Sequence, residues 1–345
     1  MNKILPSASL FGALEKLNAL SGGIMTLLVV DGTGRLVGTL TDGDVRRALL
    51  RGDSMQSRVS DVMRREFRYL SAENPDNQAF LEMRQMGLRL IPLVDENGRL
   101  KGTIDTRQTR ALLPIRALLM AGGRGERLRP LTLTTPKPLL KVGNKPIIDR
   151  NIAILAAYGI TDVTASVNYL AEQFEEKFSE PCEGINVNVV REPFAMGTIG
   201  SASLLPEADP DGCTLVMNSD LLTSIRLDEM YNLHQRTRAD ITLAVTPYNV
   251  SVPYAIVDMD DNGNVVGLSE KPSFSYFANA GIYLFSNRVL ASLAKDKYRD
   301  APDLIKEAIA QGKTVSTFLI DGTWLDIGSP AEYARACSLM LNTNI

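Results

Sequence analysis

The stretch from Ile115 to Pro146, IRALLMAGGRGERLRPLTLTTPKPLLKVGNKP, decides how the chain is read. Ala117 to Met120 is a short apolar run that ends in glycines, the pattern of a buried strand feeding a tight loop. Gly122, Gly123 and Gly125 remove Cβ atoms where the backbone must approach something closely. Successive bare N–H groups of this kind form a nest suited to phosphate oxygens. Between Ala121 and Pro146, Arg124, Arg127, Arg129, Lys137, Lys141 and Lys145 stand against a single acid, Glu126. Neither GxxxxGK[ST] nor GxGxxG fits this loop, so it is neither a P-loop nor a dinucleotide fingerprint.

Downstream, apolar strands alternate with helical patterns. Strands are predicted over Asp162–Val167, Ile185–Val190, Thr214–Met217, Ile241–Thr246 and Ala280–Phe285. Helices are predicted over Ile147–Tyr158, Leu170–Phe178, Leu227–Arg236, Ala301–Gln311 and Ala331–Leu341. This alternation argues for an α/β domain on a mixed, largely parallel sheet, set off from what precedes it near Leu113-Pro114. Upstream the chain repeats itself. VDGTGRLVGT (Val30 to Thr39) recurs as VDENGRLKGT (Val94 to Thr103). Each copy reads as a helix (Leu10–Leu20; Asn77–Met86), a strand (Thr26–Val30; Leu90–Val94), a glycine turn and a second strand (Leu36–Leu40; Leu100–Ile104). A further helix, Asp42–Arg51, follows in the first copy only.

Composition narrows the chemistry. The 345 residues carry 37 Lys+Arg and 40 Asp+Glu, a net charge of -3, with 45% hydrophobic and 22% charged residues. That length suits two domains, and the charge balance gives no global attraction to nucleic acid or anionic membrane. No apolar run approaches the roughly 20 residues of a membrane span. MNKILPSASL lacks a long apolar signal core, so the expected location is the cytoplasm. A single histidine, His234, excludes His-based triads and multi-His metal sites; it is expected on a polar helix end, without a role. The three cysteines form no CxxC and are expected to be reduced and buried. Any catalysis must run on carboxylates, Lys, Arg, backbone amides and an oxygen-bound metal.

Two resemblances follow from these motifs. GGRGERLRPLT…PKPLLKVGNKP resembles the signature of sugar-1-phosphate nucleotidyltransferases, the NDP-sugar pyrophosphorylases. NYLAEQF (Asn168–Phe174), GTIGSA (Gly197–Ala202), NSDLL (Asn218–Leu222), SEKP (Ser269–Pro272), NAGIYLF (Asn279–Phe285) and WLDIGSP (Trp324–Pro330) continue it in the family's order. The N-terminal repeats resemble a CBS-domain pair, or Bateman module. Together they imply an α/β CBS pair over residues 1–112 ahead of a Rossmann-like, GT-A-like mixed-sheet nucleotidyltransferase domain over 115–345.

The family resemblance also implies a site. Ala121, Gly122, Gly123 and Gly125 would bind the nucleotide phosphates, with Arg127 and Lys137 as the catalytic cations. Glu192 and Gly197 fall in the segment that recognises the base. Glu270, Lys271 and Asn279 match positions that hold the sugar phosphate, although Ala255 replaces the family's glycine after Tyr254. Asp220 and Asp326 would hold Mg²⁺, with Ser219 in place of the family's glycine. In the CBS pair, Thr41 and Asp44 would contact a regulatory nucleotide, unless they only cap the helix that starts near Asp42. The second repeat has Asp105 and Gln108 instead, which implies one ligand per pair.

A CBS pair before such a domain resembles guanylyltransferases of legionaminic-acid synthesis. The implied substrates are GTP and glucosamine-1-phosphate. Mannose- or heptose-1-phosphate with GTP comes next, then UTP or dTTP enzymes. A catalytically silent sensor of nucleotide or NDP-sugar is the alternative, disfavoured by the presence of Lys137, Asp220 and Asp326. Expected partners are the two substrates and a regulatory nucleotide, with no nucleic acid and no membrane. A homo-oligomer is left open.

Overall fold

The computed structural model describes residues 2–295 and 297–342. They divide into two compact units: one runs to Leu112 and takes in Ala157–Gly159, and the other holds the remainder. No helix among the described residues is long and apolar enough to cross a membrane.

The first unit holds two three-stranded sheets. Its elements are β1 (Lys3–Ile4), α1 (Leu10–Ala19), β2 (Thr26–Val30), β3 (Leu36–Thr41), α2 (Asp42–Leu50), β4 (Leu70–Ser71), α3 (Asn77–Gln85), β5 (Leu90–Val94) and β6 (Leu100–Asp105). In each sheet the central strand pairs parallel with the short strand before it and antiparallel with the strand after it. The same turn chemistry closes both hairpins. Asp31 Oδ1 accepts from the Thr33 and Arg35 amides, and Asp95 Oδ1 from the Asn97 and Arg99 amides. The repeats then clasp each other. The Leu36 amide donates to Gly98 O at 3.0 Å, and the Leu100 amide to Gly34 O at 3.0 Å. Behind this exchange Leu28, Val30, Leu36, Val94 and Leu100 form one apolar cluster.

Helix α2 starts on a capping box. The Thr41 hydroxyl and the Asp44 carboxylate each bond the other's backbone N–H. Asp44 also receives Arg47 and Arg64 and is buried. Burial pushes the Asp44 carboxyl up. Hydrogen bonds from the Thr41 hydroxyl and amide, Arg64 and Arg47 outweigh this and hold it below the ordinary value. After β6 the chain makes only a turn at Asp105, so the second repeat lacks a counterpart of α2.

The second unit is built on a seven-stranded sheet. Its elements are β7 (Arg116–Met120), α4 (Ile147–Ala157), β8 (Val163–Val167), α5 (Ala171–Lys177), β9 (Val187–Arg191), β10 (Cys213–Asn218), β11 (Leu221–Thr223), α6 (Leu227–Thr237), β12 (Ile241–Ser251), β13 (Ile256–Met259), β14 (Val265–Ser269), β15 (Ser273–Ser286), α7 (Ala301–Ala310), β16 (Val315–Leu319), β17 (Trp324–Asp326) and α8 (Pro330–Asn342). The sheet order is β9-β8-β7-β10-β15-β12-β16. The first four strands are mutually parallel, β15 is antiparallel to β10 and β12, and β16 is parallel to β12. This is the mixed, largely parallel sheet that the alternation predicts. Leu118, Val216, Ile241, Phe285 and Ala301 close its core with almost no exposed surface.

Two strands run longer than their apolar signal. β12 and β15 extend past the sheet as a two-stranded ribbon, Pro247–Ser251 against Ser273–Phe277. Its side chains are exposed, so no buried run marks it in the sequence. His234 also departs from expectation. It is buried rather than on a polar surface, with Nδ1 at 2.8 Å from the Thr242 hydroxyl. Burial pushes its pKa down, against a smaller opposing pull from Asp240, which keeps the ring neutral near pH 7.

Asp44→Ala should destabilise the first unit by about 1–2 kcal/mol at pH 7. Because the folded pKa is depressed below 3.8, this contribution is present above that value and is lost as pH falls through the folded pKa. Chemical denaturation of the two proteins should therefore show a gap that narrows below about pH 4. A gap that is constant from neutral pH to below that point would mean the carboxylate charge contributes nothing.

Candidate active site

β7 and β10 are neighbours, with Met120 opposite Asn218. The glycine loop after β7 and Asp220 after β10 therefore leave the sheet side by side, at the carboxyl end where open α/β sheets bind ligands. Ser219 ties the two exits together. Its hydroxyl donates to Met120 O at 2.6 Å, and its own carbonyl accepts from Asn151 Nδ2 at 3.0 Å. A serine in place of glycine thus locks this corner.

A cavity of about 460 Å³ opens here. Ala121, Gly122, Gly123, Gly125, Arg127, Lys137 and Asp220 contribute to its wall, as do Glu192, Gly197, Tyr298 and Asp300. Gly125 sits in the left-handed region at φ 59, and its carbonyl accepts from the Thr132 hydroxyl at 2.8 Å. Tyr169 and Gln173, from NYLAEQF, brace the same loop by donating to the carbonyls of Thr132 and Thr134. Gly123 faces open space.

Lys137 lies on a single 3₁₀ turn between Pro136 and Pro138, with its side chain 11% exposed. Its Nζ donates to Asp220 Oδ2 and to Asp326 Oδ1, the latter at 3.3 Å. Asp326 arrives because β11 pairs antiparallel with β17, placing Leu221 opposite Asp326. Trp324 fixes β17 by donating its Nε1–H to Ala280 O at 2.9 Å, a contact beyond simple packing. Burial pushes the Asp220 carboxyl up, Asp326 adds to this, and Lys137 opposes it. Asp220 Oδ1 is buried without a hydrogen-bond partner. Two carboxylates, one with an orphaned oxygen, suit a hard divalent cation that takes its remaining ligands from water or phosphate. Among the described residues there is no cluster of three or more His, Cys, Asp or Glu that could hold a metal by itself.

Glu192 and the GTIG turn serve the architecture as well as the cavity. Glu192 accepts from the Ser166 hydroxyl and from the Met196 amide, and a Cβ on Gly122 would lie 2.8 Å from Glu192 Oε1. Gly197 has φ +78, and a Cβ there would meet Arg299 O at 2.4 Å. The neighbouring backbone therefore already requires glycine at this position.

The nucleotidyl transferase family model matches residues 116–343, and the CBS domain model matches 3–51 and 59–108. The chain belongs to the nucleotidyl transferase family. It is 32% identical over 235 residues to the mannose-1-phosphate guanylyltransferase catalytic subunit beta of Drosophila pseudoobscura pseudoobscura, covering 66% of this chain and 63% of that protein. It is 33% identical over 242 residues to mannose-1-phosphate guanylyltransferase 1 of Arabidopsis thaliana, covering 66% and 65%. The matched region thus spans just under two thirds of these relatives' length. In fold it is similar to the crystal structure of HddC from Yersinia pseudotuberculosis complexed with GMP-PN, with a TM-score of 0.52 and 20% identity over 65% of this chain and 99% of that one.

In this nucleotidyl transferase the expected sugar-phosphate set is not assembled at the cavity. Glu270 and Lys271 are exposed in the bend between β14 and β15, with Lys271 at φ 45. Asn279 donates from Nδ2 to the Tyr283 hydroxyl at 2.8 Å and accepts from the Gly281 amide at 3.1 Å. Sequence reasoning also missed Gly328 of WLDIGSP. A Cβ there would lie 3.0 Å from Arg127 Nη2, so the bare backbone makes room for that guanidinium. In the CBS unit, Thr41 lines a separate cavity of about 500 Å³ together with Arg64, Phe67, Arg68 and Arg89. Asp44 is not on that wall. Its carboxylate is taken by the capping box and by two arginines, which is the helix-cap alternative for this residue.

Gly125→Ala should cost about 1–2 kcal/mol, from the left-handed backbone alone. Its Cβ would also press on Thr132 Cγ2 at 3.0 Å and Lys137 Cβ at 3.1 Å. Thermal unfolding should show the loss, and an unchanged melting temperature would mean the loop relaxes freely.

Proposed function

We propose that this chain transfers a guanylyl group from GTP to glucosamine-1-phosphate, giving the GDP-sugar and pyrophosphate. The observation that carries the reading is Lys137, buried between Asp220 and Asp326 beside a glycine loop at the carboxyl ends of parallel strands. An oxygen of the sugar phosphate attacks the α-phosphorus, and the bond from that phosphorus to the oxygen bridging to the β-phosphate breaks. The nucleophile is already an anion, so no histidine or other strong base is required. The amides of Gly122 to Gly125 and the Arg127 fork hold the triphosphate. Glu192 and Gly197 flank the base. Asp220 and Asp326 would hold Mg²⁺, which when bound would neutralise charge on the phosphates. Lys137, freed from the carboxylates, meets the α-phosphate. Glu270 and Lys271 would hold the sugar phosphate.

The relatives' names favour guanine, and the CBS pair favours an amino sugar. A second reading, mannose-1-phosphate with GTP, is favoured by those same names. In the CBS unit, Thr41, the three arginines and Phe67 suit a regulatory nucleotide. The free cysteines, with the Cys182 and Cys213 thiols pushed up to about 12 mainly by burial, suit a reducing cytoplasm.

Pyrophosphate release by the full chain, with four NTPs against a panel of sugar-1-phosphates, tests the reading. GTP with glucosamine-1-phosphate should give the highest kcat/KM, and mannose-1-phosphate in first place would favour the second reading. Lys137→Ala should lower kcat on the order of 10²–10³-fold, as removal of one transition-state charge stabiliser does. A change confined to KM would leave only ground-state binding. Asp220→Asn and Asp326→Asn should each nearly abolish turnover. Full rates in both at millimolar Mg²⁺ would refute the metal site.

A further inference from the structure

β12 and β15 leave the seven-stranded sheet together. β16 pairs with β12 only as far as Val245, and β10 pairs with β15 only from Ile282 to Ser286. Among the described residues, Thr246–Ser251 and Ser273–Ala278 therefore pair only with each other. The Val252 amide donates to Pro272 O at 3.0 Å and carries the pairing on towards the β13–β14 hairpin, so ribbon and hairpin form one continuous arm. A two-stranded ribbon is marginal in water by itself and needs a third strand or a packed face to hold it.

The pleat sorts the ribbon's side chains. Tyr248 stands opposite Tyr276 and Val250 opposite Phe274, so these four share one face. They are 58%, 57%, 39% and 43% exposed. The other face, apart from Pro247 and Phe277 at its root, is polar. There Asn249 meets Ser275 at 2.7 Å and Ser251 meets Ser273 at 3.3 Å through their side chains. The hairpin repeats the apolar pairing, with Val257 opposite Leu268 and Met259 opposite Val265, all exposed. A sheet with one polar and one apolar face packs the apolar one against something, and an exposed patch of this kind marks an interaction site.

Composition limits what can cover it. Neither Pro247–Ser251 nor Ser273–Ala278 contains Lys, Arg, Asp or Glu. The ribbon thus lacks the charges that keep strand edges apart. An anionic membrane surface is held through Lys and Arg beside the apolar residues, and this face has none. A highly charged partner would find nothing to pair with. A second copy of the same face matches it, aromatic against aromatic, with no charge buried on either side. The area also fits. At roughly 150–250 Å² for a whole aromatic side chain, and less for an aliphatic one, the exposed fractions on ribbon and hairpin come to about 700 Å² per copy, against roughly 800 Å² per partner in a standard interface. A two-fold axis brings the same patch of each copy together.

We propose that the chain forms a two-fold dimer through this arm, the face of Tyr248, Val250, Phe274 and Tyr276 in one copy packing on that face in the second. The dimer supplies the packed face that the ribbon lacks. The inference is independent of the reaction proposed above.

Sedimentation velocity of the full chain, from low- to high-micromolar concentration, tests it on the wild type, on the double variant Tyr248→Lys/Tyr276→Lys and on Ile309→Lys, a control at an exposed apolar position of α7. The wild type should sediment at twice the chain's 37.7 kDa, and Ile309→Lys likewise. The double variant sets like charges against each other at the two-fold contact and should weaken association at least on the order of 100-fold, leaving a monomer. Both altered side chains are exposed in the single chain, so its melting temperature should hold. Amide hydrogen exchange of the wild type needs no variant. Protection over Pro247–Ser251 and Ser273–Phe277 should fall as dilution releases the monomer. A wild type that stays monomeric at high-micromolar concentration would overturn the proposal. So would a dimer that survives in the double variant with unchanged affinity, or ribbon protection that does not change as the dimer dissociates, either of which would place the contact elsewhere.

Discussion

A lysine held between two carboxylates, largely out of water, organises the second unit. Burial disfavours the Asp220 charge, and Lys137 between the two carboxylates offsets it. The group is stable only where the backbone fixes all three side chains. Prolines on both sides of Lys137, the Met120–Asn218 register and the pairing of β11 with β17 do so from three distant parts of the chain. Asp220 and Asp326 are kept close despite their like charge because Lys137 lies between them. The glycine loop beside them supplies backbone amides to the same cavity.

The first unit is held by a different device, a reciprocal exchange of backbone hydrogen bonds between Leu36 and Gly98 and between Leu100 and Gly34. The exchange follows the sequence repeat and so is nearly symmetric. The chemistry around it is not. Only the first repeat continues into a capped helix, and Thr41 at its start shares a cavity wall with Arg64, Arg68 and Arg89.

Much of this was legible in the sequence because it rests on local patterns. The repeat announced itself through VDGTGRLVGT and VDENGRLKGT, and the sheet through apolar strands such as VTASV, whose five residues are all buried. The glycine loop, Lys137, Asp220 and Asp326 could be read from motifs and do converge. What escaped depends on contacts that no local pattern encodes. His234 is polar and lies near a helix end, yet it is buried because Thr242 on β12 offers it a partner. For Asp44 the sequence leaves open a ligand contact or a helix cap; the structure shows the cap, with Arg64 and Arg47 also on its carboxylate. Glu270 and Lys271 lie in an exposed bend between β14 and β15, beside a ribbon of β12 and β15 that the period-2 pattern cannot reveal because neither of its faces is buried. Gly328 matters only through a residue far away in sequence, Arg127.

The central claim is that Lys137 guards two carboxylates in the free protein and hands them over when substrate arrives. A crystal structure of the full chain with Mg²⁺ and a non-hydrolysable GTP analogue tests this most directly. The account predicts Mg²⁺ on both Asp220 and Asp326, with Lys137 Nζ moved to within hydrogen-bond distance of a phosphate oxygen. Lys137 still bridging the two aspartates, with the nucleotide bound and the cation elsewhere, would contradict it.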